Sequence, residues 1–91
     1  MPDKVHCAHI LVKTEQEAKA VLERLNKGEK FANIAGEASL CPSGKRGGDL
    51  GNFTRGKMVK EFEVAAFALE KGQVSPPIKT KFGYHLIKRL E

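Results

Sequence analysis

Two histidines and a thiol stand out among the side chains that could move protons or attack a carbonyl. They are His9 in VHCAHILVK, His85 in GYHLIKRL, and Cys41 at the head of CPSGKRGGDLGN. A thiol with imidazoles at hand is the kit of a cysteine hydrolase, in which a base draws the proton from sulfur. With Cys7 added, the same residues offer four zinc ligands, because positions 7 and 9 of a strand point the same way. Each histidine also has a plain structural reading, as a buried ring satisfied by its neighbours that holds two strands in register. No segment reads as an oxyanion hole, which weighs against hydrolysis. The glycines of GKRGGDLG invite a phosphate cradle, but the GxxxxGK[ST] spacing is missing and nucleotide binding is set aside.

Whether these groups can meet depends on the elements that carry them. Residues 5 to 13 are rich in branched side chains and read as a buried strand, with Cys7, His9 and Leu11 on one face and His6, Ala8, Ile10 and Val12 on the other. Thr14 followed by Glu17 is a capping-box pattern in which each residue reaches the other's backbone N–H, so a helix starts there. Ala18, Val21, Leu22 and Leu25 form its apolar face, Glu15/Lys19 and Glu23/Lys27 are i,i+4 pairs on the wet side, and Gly28 ends it. Phe31, Ile34, Ala35 and Ala38 repeat the helical spacing as far as Ser39.

Residues 41 to 52 hold too much glycine for a helix interior and read as a shaped loop, with a short strand emerging around Leu50 to Phe53. Phe62, Ala65, Ala66 and Leu69 mark another helix, closed by Gly72, and Pro76-Pro77 forces an extended or turning connection. In the final strand, 83 to 90, His85 and Ile87 share one face, with Tyr84, Leu86 and Leu90 opposite. The sum is an α+β domain with a small sheet covered by helices on at least one face. Such strands can set His9 beside His85.

A chain of 91 residues with 41% apolar content fits one compact stand-alone domain, 1–91, able to build a modest core without metal or disulfide. Two cysteines are too few for a secreted disulfide scaffold, and no apolar leader or long apolar run is visible from Met1 onward. The expectation is a monomer in the reducing cytoplasm. Net charge is +5, with basic residues spread from Lys4 to Arg89 rather than in one block. That favours weak contacts with acidic or anionic surfaces. With one Tyr and no Trp, the chain lacks a stacking platform, and tightly bound nucleic acid is not expected.

Four segments, AHILVK at 8 to 13, CPSGKRGGDLG at 41 to 51, RGKMVKEFEVAAF at 55 to 67 and FGYHLIK at 82 to 88, together resemble the parvulins, a family of peptidyl-prolyl cis/trans isomerases. The resemblance runs from about Val5 to Leu90. It implies a four-stranded antiparallel sheet surrounded by about four helices, a shallow groove for one proline and its neighbours, and no cofactor or metal. By position it implies His9 and His85 as the paired catalytic histidines, Cys41 as the central thiol, and Leu50, Met58 and Phe62 as the proline pocket. Thr80 and Phe82 would flank the substrate. In the family the thiol position is also filled by aspartate, which speaks for polarity over nucleophilic attack.

Phosphate-directed parvulins carry a long arginine-bearing loop after the first strand. Here Lys13 runs directly into Thr14 and its helix, so phosphoserine-proline selectivity is not expected. Lys13 is left to favour, mildly, an acidic residue before proline. The implied partners are proline-containing polypeptides, and the implied role is help in folding. A binding module that holds such segments without turnover would use the same groove.

Overall fold

The computed structural model describes residues 4–90. Its elements are β1 (Lys4–Val12), α1 (Glu15–Asn26), α2 (Phe31–Ala38), a 3-10 turn (Pro42–Arg46), β2 (Asp49–Thr54), α3 (Lys60–Ala68), β3 (Ile78–Thr80) and β4 (Gly83–Arg89). The strands form one antiparallel sheet in the order β2-β1-β4-β3, so the first and last strands lie at its centre.

The alternation along β1 sorts the core into two layers. Ala8, Ile10 and Val12 pack with Leu86 against Ala18 and Val21 of α1 and Phe31, Ile34 and Ala35 of α2. Val5 and Cys7 face the other way and pack with Phe53, Ile87, and Phe62 and Ala66 of α3. The sheet is thus covered on both faces. Ile10, Ile34, Leu86 and Ile87 are fully buried, each contributing roughly 1.5–3 kcal/mol through burial.

Local signals place the helices. The Thr14 hydroxyl accepts from the Glu17 N–H at 3.2 Å, and it donates to the Glu17 carboxylate at 3.1 Å. Glu17 therefore returns to the hydroxyl, where the capping-box pattern had it reaching the Thr14 backbone. Of the two expected ion pairs on α1, Lys27–Glu23 forms at 3.4 Å. Arg24 bridges Glu29 and Glu37, at 2.6 Å to each, and ties α1 to α2.

Two expectations shift. The described residues hold three α-helices and a 3-10 turn, against the about four helices expected. The turn occupies the start of the glycine-rich loop, where Pro42 suits the first helical position and Gly47 ends the run. Gly72 does not close α3, because Leu69 is already extended and caps the helix at Ala68. The Gly72 N–H instead donates to the Arg89 carbonyl, starting the return of the chain along β4.

The strand entering β2 carries a bulge. His6 faces Asn52 and Ala8 faces Asp49, so Leu50 and Gly51 together oppose Cys7. Gly51 takes a left-handed φ of 74° there, a conformation that glycine adopts without steric cost. The extra residue brings Leu50 onto the same face as Phe53 and Phe62, where it can line a pocket.

Candidate active site

The two central strands bring the histidines together. His9 is paired with Ile87 and His85 with Leu11, so the imidazoles are diagonal neighbours on one face of the sheet. Diagonal positions in an antiparallel pair lie within reach of aromatic side chains. The rings stack with centroids 5.1 Å apart and planes 19° from parallel, and their Nδ1 atoms are 2.9 Å apart. Only 5% of His9 and 4% of His85 is exposed. Phe62 presents itself edge-on to both, at 5.5 and 5.3 Å.

Burial lowers the His9 pKa to about 4, with the neighbouring His85 pushing the same way, and burial also lowers that of His85. Both rings are therefore neutral at pH 7, and one proton serves the Nδ1–Nδ1 contact. On the far side of His85, Nε2 lies 2.7 Å from Thr80 Oγ1, which also accepts from the Phe82 N–H at 3.2 Å. His9 Nε2 is buried with no hydrogen-bond partner among the described residues. If His9 Nδ1 donates to His85, then His85 Nε2–H donates to Thr80 and the lone nitrogen of His9 is a bare acceptor. The reverse arrangement buries an unpaired N–H at His9.

Backbone contacts fix His9 from the loop side. Its N–H donates to the Gly48 carbonyl at 2.9 Å, and Gly48, at φ 82°, leaves no room for a Cβ beside the His9 carbonyl. At the other end of β1, Leu11 accepts from the Leu40 N–H at 2.8 Å, while Ser39 Oγ accepts from the N–H groups of Leu11 and Cys41. These bonds hold the segment that carries Cys41. The Cys41 thiol is half-buried and accepts from the Ser43 hydroxyl at 3.2 Å.

A pocket of about 490 Å³ opens beside this pair. Leu50, Met58 and Phe62 line it together with His9, His85, Cys41 and Phe82. All three members of the expected proline pocket are thus on one wall system with the expected polar cluster. Met58 is half-buried and Phe62 buried, the latter serving the core and the pocket at once. Thr80 sits behind His85 rather than on the lining, and Lys13 is exposed at the end of β1, off the lining.

Further lining comes from Leu11, Leu40, Pro42, Lys57 and Val59, which the sequence reading did not single out. Leu40 carried a usable signal, a large apolar residue stranded between Ser39 and Cys41-Pro42, and it stays 61% exposed. Cys7 lies apart in the core, its thiol pKa pushed up to about 11 by burial. Among the described residues no group of three or more His, Cys, Asp or Glu side chains is placed to hold a metal ion.

Outside the pocket, His6 Nε2 meets Asp49 Oδ1 at 2.6 Å where β1 and β2 join. That hydrogen bond, and a second from the Gly51 N–H, hold the Asp49 carboxyl below its ordinary range.

Residues 9–91 match the family described as Rotamase: PPIC-type PPIASE domain. The chain is 56% identical over 86 residues to the foldase protein PrsA of Geobacillus kaustophilus, covering 93% of this chain and 31% of that protein. It therefore spans about a third of the length of such curated relatives. The solution structure of NmPin, the parvuline of Nitrosopumilus maritimus, superposes with a TM-score of 0.89 at 52% identity, covering 100% of this chain and 99% of that one. Pin from the psychrophilic archeon Cenarcheaum symbiosum gives 0.86 at 60% identity, covering 100% and 95%.

Proposed function

This chain belongs to the PPIC-type peptidyl-prolyl isomerase family, the parvulins, and from that premise we propose that its pocket rotates Xaa-Pro peptide bonds in flexible polypeptide segments, as a folding helper. The observation that carries this reading is the buried His9–His85 pair, joined at 2.9 Å, beside an apolar pocket large enough for a prolyl ring and its neighbours.

Rotation about such a bond faces a barrier of about 20 kcal/mol because the amide must give up its resonance, yet no covalent bond breaks. Catalysis then requires only that the twisted amide be held better than either planar isomer. Leu50, Met58 and Phe62 clasp the pyrrolidine ring. The chain on the amino side swings past His9, Cys41 and His85, whose hydrogen bonds adjust as the amide loses its charge separation. Phe82, exposed at the rim, covers the flanking residues, and Thr80 orients His85. The apolar walls strip water from the amide carbonyl, which removes bonds that favour the planar form. The chemistry needs no metal or cofactor.

The free, half-buried Cys41 thiol supports a reducing, cytoplasmic setting. Exchange spectroscopy on an Ala-Pro peptide tests the activity. Cis/trans exchange should quicken in the presence of substoichiometric protein, whereas binding without faster exchange would replace catalysis by simple capture of proline segments.

A further inference from the structure

The turn between β2 and α3 carries two cations, and the structure treats them differently. Arg55 lies over the Phe67 ring, 4.2 Å from its centroid, with its Nη1 4.0 Å from the Glu63 carboxylate. Glu63 also accepts the Gly56 N–H, which pins the turn to α3. Lys57 enters no ion pair among the described residues. It is instead a lining residue of the pocket, adjacent in sequence to Met58, and among the described residues it is the one formally charged side chain there at neutral pH. No carboxylate of the described residues accompanies it on the lining. A second ammonium, Lys81, sits 5.3 Å from the centroid of Phe82, itself a pocket residue.

An ammonium set among apolar walls, in a chain of net charge +5, projects an unopposed positive potential into the groove. We propose that Lys57 makes this site prefer proline segments with a carboxylate side chain, Asp or Glu, next to the proline, and disfavour those with Lys or Arg there. The inference rests on the isomerase reading above and names its substrate class. It moves the selecting cation from Lys13, which the lining does not include, to the β2–α3 turn. Because Lys57 is exposed, the preference is modest, about two- to fivefold at low salt, and it shrinks as salt rises.

The test is exchange spectroscopy on Ala-Ala-Pro-Ala and on versions with Glu or Lys placed before or after proline, using the unmodified chain, Lys57→Glu and Lys13→Glu. The ratio of the Glu peptide rate to the Lys peptide rate should exceed one for the unmodified chain, fall below one in Lys57→Glu, and change little in Lys13→Glu. A ratio untouched by Lys57→Glu, or moved as far by Lys13→Glu, overturns the assignment while leaving isomerase activity in place. Failure of the unmodified chain to speed any peptide would instead remove the activity on which the inference depends.

Discussion

Gly48 lies against the backbone of His9, accepting the His9 N–H at its carbonyl oxygen and leaving no space for a side chain of its own beside the His9 carbonyl. The glycine-rich loop and the first imidazole are therefore a single mechanical unit. Gly48→Ala adds a methyl group at a left-handed φ of 82° and drives it into main chain. The expected cost is about 2–4 kcal/mol, read as a lower urea midpoint. A midpoint within error of the unmodified chain would mean that the loop yields freely and does not hold His9.

The His9–His85 pair should make stability depend on acid. A folded His9 pKa near 4 lies below the unfolded value of about 6.5, so between these values the unfolded chain binds the extra proton. The stabilisation is fully present above about pH 6.5 and is lost as pH falls toward 4, on the order of 3 kcal/mol from His9. His85, also shifted down, acts in the same direction. Asp49, whose pKa is lowered, adds a loss only at more acidic pH, below the ordinary carboxylate value. Urea unfolding at pH 7, 5 and 4 measures the first window, and His9→Gln should flatten it. A flat profile in the unmodified chain would contradict a buried neutral pair.

Cys41→Asp separates polarity from attack. The Cys41 thiol contacts Ser43 and has no hydrogen bond to either imidazole among the described residues, so no base is in place to activate it. A carboxylate at 41 should retain measurable isomerase activity in the exchange assay. Complete loss in a variant whose near-ultraviolet circular dichroism matches the parent would point to sulfur chemistry.

Met58→Ala tests the pocket wall. Met58 is half-buried on the pocket lining, so its truncation removes surface that a prolyl ring would cover more than surface that the fold needs. We expect kcat/KM to fall roughly five- to tenfold, from the loss of one or two methylene equivalents of burial. The thermal midpoint should move by no more than a few degrees. A large stability loss with turnover unchanged would assign Met58 to the core alone.

The alternation of 5 to 13 grouped Cys7 with His9, and that of 83 to 90 grouped His85 with Ile87, because successive side chains of a strand point to opposite faces; that the two groups share one side of the sheet follows from the β1–β4 register. Helix starts were legible for the same local reasons, Thr14 through its side-chain cap and Phe31 through its spacing. The end of α3 was not, since Leu69 keeps the helical apolar spacing while its backbone is already extended, and only the pairing of Gly72 with Arg89 shows why. The bulge at Leu50 and Gly51 likewise depends on a partner strand more than forty residues away in the chain. At the site, the imidazole pair and Leu50, Met58 and Phe62 were nameable from motif positions. The lining contributed by Lys57 was not, because it arises where the β2–α3 turn meets the loop that carries Cys41, whereas Leu40 could have been suspected as an apolar residue stranded in that loop. Motif position puts Thr80 beside the groove, but its bond to the far nitrogen of His85 follows only from the pairing of β3 with β4.

β1 and β4 are neighbours at the middle of the sheet although their histidines are 76 positions apart. Closing so long a loop carries an entropic cost that grows only slowly with length, but it cannot be met before the second partner exists. During synthesis, a nascent chain that has not yet released β4 has an open sheet, a solvated His9 and no pocket floor. The His9–His85 pair and the pocket beside it are therefore completed in one step, with the docking of β4 on β1, and any nick that frees that strand should dismantle both.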